Sequence, residues 1–127
     1  MHFTEAHFEN AILELMRDTL GYDYIYGPSV EREYTEPLHI DLVQQSLFYA
    51  INPTLPSEAI EEAISKIRNI ESGSLVQRNE VFHDYLQNGV EVNYFDGKEQ
   101  RSTRVQLIDY GTPLRNNFTV ANQWSVE

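Results

Sequence analysis

Cysteine is absent from all 127 residues, so disulfides and thiolate-held metals are excluded, and any metal would rest on carboxylates, histidines or backbone carbonyls. Positive charge is scarce. Nine lysines and arginines stand against twenty aspartates and glutamates, a net charge of -11 that repels a phosphate backbone unless the few cations gather on one face. No apolar run approaches the ~20 residues of a membrane span, and the N-terminus lacks the basic-then-apolar order of a signal peptide. These absences predict a cytoplasmic protein with no membrane partner. The four histidines, His2, His7, His39 and His83, show no ligand spacing, and His83 beside Asp84 is no catalytic dyad because adjacent helical residues do not face each other. Phosphate loops, nucleotide fingerprints, nucleophile elbows and internal repeats are missing as well, so the chain itself is expected to hold no cofactor.

What is present is a globular composition, 41% hydrophobic with eight Tyr, six Phe and one Trp. A chain of this length buries roughly 65–70% of its unfolded surface, enough for one core. The patterning predicts an α+β fold in a single domain spanning 1–127, helical to about residue 89 and stranded from about residue 90. The first helix starts from a Thr4 cap and stops at Gly21, with Phe8, Ile12, Leu15 and Met16 as its buried stripe. A short strand-like Tyr22–Tyr26 ends at Gly27-Pro28. A second helix runs from about Leu38 to Ile51 and stops at Asn52-Pro53. The third opens near Pro56 and Ser57, capped by Thr54 or Ser57, with Ile60, Ala63, Ile64 and Ile67 in clear helical period. The fourth spans Leu75 to Asn88, with Leu75, Phe82 and Leu86 on one face and Gly89 as its stop.

Beyond Gly89 the period changes to two. Val90, Val92 and Tyr94 alternate up to Asp96-Gly97, a signal for a hairpin with a type I′ turn, and a partner strand begins near Arg101. A third strand places Phe118, Val120, Trp124 and Val126 on one parity. The expected architecture is therefore about four helices covering a mainly antiparallel sheet made of the hairpin plus this third strand. The strand begun at Phe118 runs to Glu127 with no closing helix, which reads as a boundary inside a larger fold or a truncated gene. Lys98, Arg101 and Arg104 crowd the hairpin; they are either phosphate contacts or charges protecting an edge strand.

Three stretches together resemble a known family: T-E-A-H-F-E-N-A-I-L-E-L-M-R-D-T-L-G-Y, N-P-T-L-P-S-E-A-I-E-E-A-I, and F-H-D-Y-L-Q-N-G-V-E-V-N-Y-F-D-G with the later V-Q-L-I-D-Y and N-N-F-T-V-A-N-Q-W-S-V-E. They are similar to the N-terminal region of the restriction (R) subunit of type I restriction-modification enzymes, from about Thr4 to Glu127. The resemblance implies the start of a restriction-endonuclease-like domain of the PD-(D/E)xK class, followed by motor domains that use ATP to translocate DNA. The family's Asp and Glu-x-Lys strands come after the N-Q-W-S-V-E block, so this stretch is expected to be an incomplete domain, inactive alone. The complete subunit implies Mg²⁺ and ATP as cofactors and DNA, modification and specificity subunits as partners. In nucleases of this fold the first helix can offer a carboxylate near the metal, and the family's opening E-x-x-x-E corresponds to Glu5 and Glu9. The alternative for both is an acidic helix N-terminus stabilised by the dipole. A function from a different class is a stand-alone acidic interaction protein that imitates DNA.

From the charge alone, the chain should bind duplex DNA more weakly than micromolar at about 150 mM salt. A fluorescence-anisotropy titration checks this; a tighter dissociation constant with a steep salt slope would contradict it.

Overall fold

Helix α3 (Ser57–Arg68) carries the best-defined apolar face of the chain, and the largest core is built on it. In the computed structural model, which describes residues 4–71 and 73–126, the elements run α1 (Glu5–Glu14), β1 (Asp23–Tyr26), α2 (Ile40–Gln45), α3, α4 (Leu75–Asn88), β2 (Val90–Phe95), β3 (Gln100–Val105) and β4 (Thr119–Asn122). The α+β class with four helices and an antiparallel strand pair matches the expectation from sequence. The chain divides into two compact units, one being Ile40–Asn116 and the other joining the residues before it to those after it.

In the central unit, Ala59, Ile60, Ala63 and Ile64 of α3 are buried together with Val90 and Val92 of β2, Val105 of β3 and Leu47. This is the predicted period, since residues three and four apart share one helix face. Each buried isoleucine contributes about 1.5–3 kcal/mol relative to exposure. Neither Thr54 nor Ser57 caps α3; Pro56 holds the N-cap position without a side-chain bond, and its carbonyl accepts from Ala59 and Ile60 N–H.

Strands β2 and β3 pair antiparallel, Val90 opposite Val105 and Phe95 opposite Gln100. Residues 96–99 therefore form a four-residue connection where the Asp-Gly signal predicted a two-residue type I′ turn. The cause is the Asp96 carboxylate, whose Oδ1 accepts from the N–H groups of Lys98 and Glu99 at 2.8 and 2.9 Å and stabilises the wider loop. Gly97 takes a φ of 98°, open only to glycine at low cost.

The second helical run starts at Ile40, two residues after the predicted Leu38, and ends at Ile51 before Asn52 as predicted. After α2 the backbone widens to a π-helix over Ser46–Ile51, and Asn52 closes it by donating N–H to the Leu47 carbonyl at 2.9 Å. Among the described residues Asn52 is the buried polar side chain of this unit. Its Nδ2 donates to the carbonyls of Leu47 (3.1 Å) and Gln106 (2.8 Å), and its Oδ1 accepts from Gln106 N–H (2.9 Å). The side chain thus occupies Gln106 as another strand would, and β3 stops at Val105. Helix α4 follows the prediction closely, capped by Ser74 and Gln77 reciprocally and ended by Gly89, although Leu75 at its start is exposed.

In the other unit, Thr4 caps α1 through a reciprocal pair with His7, a position more often held by Glu or Gln. The predicted buried stripe is displaced. Phe8, Ile12 and Leu15 are exposed, whereas Met16 is half-buried as predicted, together with Glu9 and Leu13. The strand predicted from Phe118 to Val126 is reduced to β4 and does not join the hairpin. It pairs in parallel with β1, Asp23 opposite Thr119 and Tyr26 opposite Asn122. Parallel pairing requires a long connection, and the whole central unit supplies it in sequence. Gln123 ends β4 at a φ of 48°, a left-handed conformation that breaks the alternation before Trp124 and Val126.

Asn52→Leu removes three bonds and leaves buried backbone groups bare, at a cost of about 3 kcal/mol. Urea unfolding measures this; a change under about 0.5 kcal/mol, the usual range for an inconsequential surface substitution, would refute the assigned role.

Candidate functional site

Glu9 lies one turn into α1 on its inward side, and Asn122 ends β4. Asn122 Nδ2 donates to Glu9 Oε1 at 2.7 Å across 113 positions of sequence. The opposite side of the same amide accepts: Oδ1 receives Tyr24 O–H at 3.1 Å and Gly27 N–H at 3.4 Å. Turning the amide over would set its oxygen against the carboxylate and its NH₂ against an N–H, so the network fixes the orientation. Gly27 is buried, and a Cβ there would lie 2.1 Å from the Asn122 carbonyl oxygen; glycine is required by close approach of two backbones. Gln123, next to the clamp, sits in its left-handed conformation at a cost of order 1–3 kcal/mol, a kind of strain that concentrates near functional sites.

A second cluster anchors the segment after β4. The Arg32 guanidinium lies 3.8 Å from the Trp124 ring centre and 5.2 Å from that of Tyr34. Arg32 also donates to the carbonyls of Glu36 (2.8 Å) and Ser125. Trp124 Nε1 donates to the Pro37 carbonyl at 2.8 Å, and its ring stacks on His39 at 5.7 Å.

Of the two acids singled out in α1, only Glu9 is drawn into a network; Glu5 stays exposed in the first turn. The hairpin cations do not converge. Arg101 pairs with Asp96 and, at 3.2 Å, with Glu99, while Arg104 reaches Glu91 at 3.8 Å and the Asn88 carbonyl at 2.8 Å. Arg101 stands opposite Tyr94 and Arg104 opposite Glu91, so strand parity puts them on opposite faces. Asp84 accepts from Asn88, one turn further on. Among the described residues no three His, Asp or Glu side chains gather as a metal-holding group. These residues by themselves make no complete metal site.

The family model for the type I restriction enzyme R protein N terminus matches residues 2–127. The chain belongs to that family. It is 32% identical over 124 residues to a provisionally named type I restriction enzyme MjaIXP endonuclease subunit of Methanocaldococcus jannaschii, covering 94% of this chain and 12% of the relative. To the type I restriction enzyme HindI endonuclease subunit of Haemophilus influenzae it is 28% identical over 130 residues, covering 96% of this chain and 12% of that protein. The chain thus spans about an eighth of the length of either relative. No solved structure matches it significantly.

In this R-protein N terminus, the sequence singled out Glu9 but not the groups bonded with it, Asn122, Tyr24 and Gly27. The available signal was parity: Asn122 shares its side of the strand with Val120, and a polar residue on an apolar face needs a partner.

The hairpin generates a pH prediction. Arg101 first, then the N–H groups of Glu99 and Lys98, hold the Asp96 carboxyl down at about 2. Its contribution to stability is present above the unfolded value of ~3.9 and is lost as pH falls through about 2. Carboxyl ¹³C NMR should find the Asp96 midpoint near that value and find it raised in Arg101→Gln; an ordinary midpoint unmoved by the substitution would contradict the pairing.

Proposed function

We propose that residues 1–127 are the opening part of the nuclease domain of a type I restriction R subunit, the two units contributing to one domain of restriction-endonuclease-like type. In its complete form such a subunit cleaves DNA with Mg²⁺, coupled to ATP-driven translocation, in a cytoplasmic complex with modification and specificity subunits. The observation that carries this reading is the family match over residues 2–127, supported by two relatives that are both named as endonuclease subunits. A net charge of -11 would suit an acidic DNA mimic, but charge is a property of composition, whereas the match runs through the sequence position by position.

Within this reading Glu9 contributes one carboxylate to the nuclease site, and Glu5 is a helix-terminal acid one turn before it. Mg²⁺ takes one or two protein carboxylates and keeps several waters, so one acid from this stretch suits it; no step of catalysis belongs to the stretch alone. The hairpin offers Lys98, Arg101 and Arg104 as DNA contacts only if phosphate replaces the acids that hold the two arginines.

The 127-residue chain alone should show no Mg²⁺-dependent cleavage of plasmid DNA. In a full-length subunit carrying this region, Glu9→Gln should lower cleavage at least about tenfold, or about 1.4 kcal/mol of transition-state stabilisation, with ATP hydrolysis unchanged. Cleavage by the purified chain, or wild-type cleavage by the variant, would overturn the corresponding part of the reading.

A further inference from the structure

We propose that Asn122 is the positioning residue of Glu9, holding Oε1 so that the carboxylate keeps one orientation while Oε2 remains for the site's own chemistry. This rests on the reading of Glu9 as a site residue. A glutamate on a helix surface has three rotatable side-chain bonds and samples many rotamers; a charge-assisted bond of 2.7 Å to a side chain on another element removes most of that freedom. The clamp is itself fixed. Tyr24 O–H and Gly27 N–H approach Oδ1 from β1 and from the turn after it, leaving only the NH₂ face for the carboxylate.

Position 122 therefore needs a group that accepts on one side and donates on the other. Asparagine meets this with a planar amide, whereas aspartate would set a second carboxylate against Glu9, and alanine would leave Tyr24 and Gly27 without their acceptor. Gly27 has no Cβ because its backbone must pass close to Asn122, and Gln123 turns left-handed directly after it. The two backbone features together hold the end of β4 where the amide can reach α1.

A charge-swap cycle tests the proposal in the 127-residue chain by thermal unfolding at pH 7. Asn122→Asp should lower Tm by about 5 °C or more, through two like charges in contact. The double variant E9Q/N122D rebuilds the bond with donor and acceptor exchanged: the new amide on α1 donates, and the new carboxylate at the end of β4 still accepts from Tyr24 and Gly27. Its Tm should return to within about 2 °C of wild type. A double variant as unstable as Asn122→Asp would overturn the clamp. In the full-length subunit, Asn122→Ala should lower cleavage about tenfold with ATP hydrolysis unchanged, and E9Q/N122A should be no worse than Glu9→Gln. The stability-restored E9Q/N122D should stay deficient in cleavage, since its carboxylate sits on the wrong element. Full cleavage by Asn122→Ala where Glu9→Gln is deficient would overturn the positioning role and spare the reading of Glu9. Wild-type cleavage by Glu9→Gln would sink that reading, and with it the role, leaving the Tm cycle to report a purely structural bond.

Discussion

One primary amide, that of Asn122, satisfies polar groups from three separate segments: the carboxylate of Glu9, the hydroxyl of Tyr24 and the backbone N–H of Gly27. The unit formed by the two ends of the described chain depends on it, because that unit has little else. Its strand pair is only four residues long, and the apolar residues Phe8 and Ile12 of its helix, with Leu15 just after it, are exposed. A short parallel pair with so little apolar burial gains specificity from directional bonds more than from area. Arg32, lying over the Trp124 ring and near that of Tyr34, fastens the segment beyond β4 by its bond to the Ser125 carbonyl.

The central unit balances its terms differently. Its core is apolar, drawn from α3 and the β2–β3 hairpin, and hydrophobic burial dominates. Even so, its buried polar side chain, Asn52, does for Gln106 and Leu47 what Asn122 does in the other unit. In both places an asparagine stands at the end of an element and its amide both donates and accepts, Asn52 to backbone groups alone and Asn122 to two side chains and one backbone N–H.

How far the sequence could be read follows from this difference. Helix α3 and strand β2 were legible because burial sets their period, with Asp96-Gly97 marking the end of β2, and helix α4 because Ser74 and Gly89 mark its ends. The inward face of α1 was not, since the apolar Phe8 and Ile12 outscore Glu9 on hydrophobicity, and the partner that engages Glu9 lies 113 positions away. The parallel partner of β4 was hidden for the same reason: alternation shows that a strand exists, not which strand it joins. Local turn chemistry was half legible. Asp96-Gly97 announced a hairpin, but the reach of the Asp96 carboxylate to two N–H groups set the loop length. Of the candidate site, Glu9 could be named from the resemblance, while its orienting amide required coordinates.

Family membership places this chain among type I restriction enzyme R protein N termini, and the geometry singles out one carboxylate in it that is held from outside its own helix. The central claim is that this holding bond exists in solution and runs from Asn122 to Glu9. A long-range HNCO spectrum of the uniformly labelled chain tests it directly through the coupling across the hydrogen bond. The account predicts a cross-peak linking Asn122 Nδ2 to Glu9 Cδ that disappears in Glu9→Ala. An Asn122 side-chain amide with no such peak, exchanging with water as fast as the amides of exposed asparagines, would contradict it.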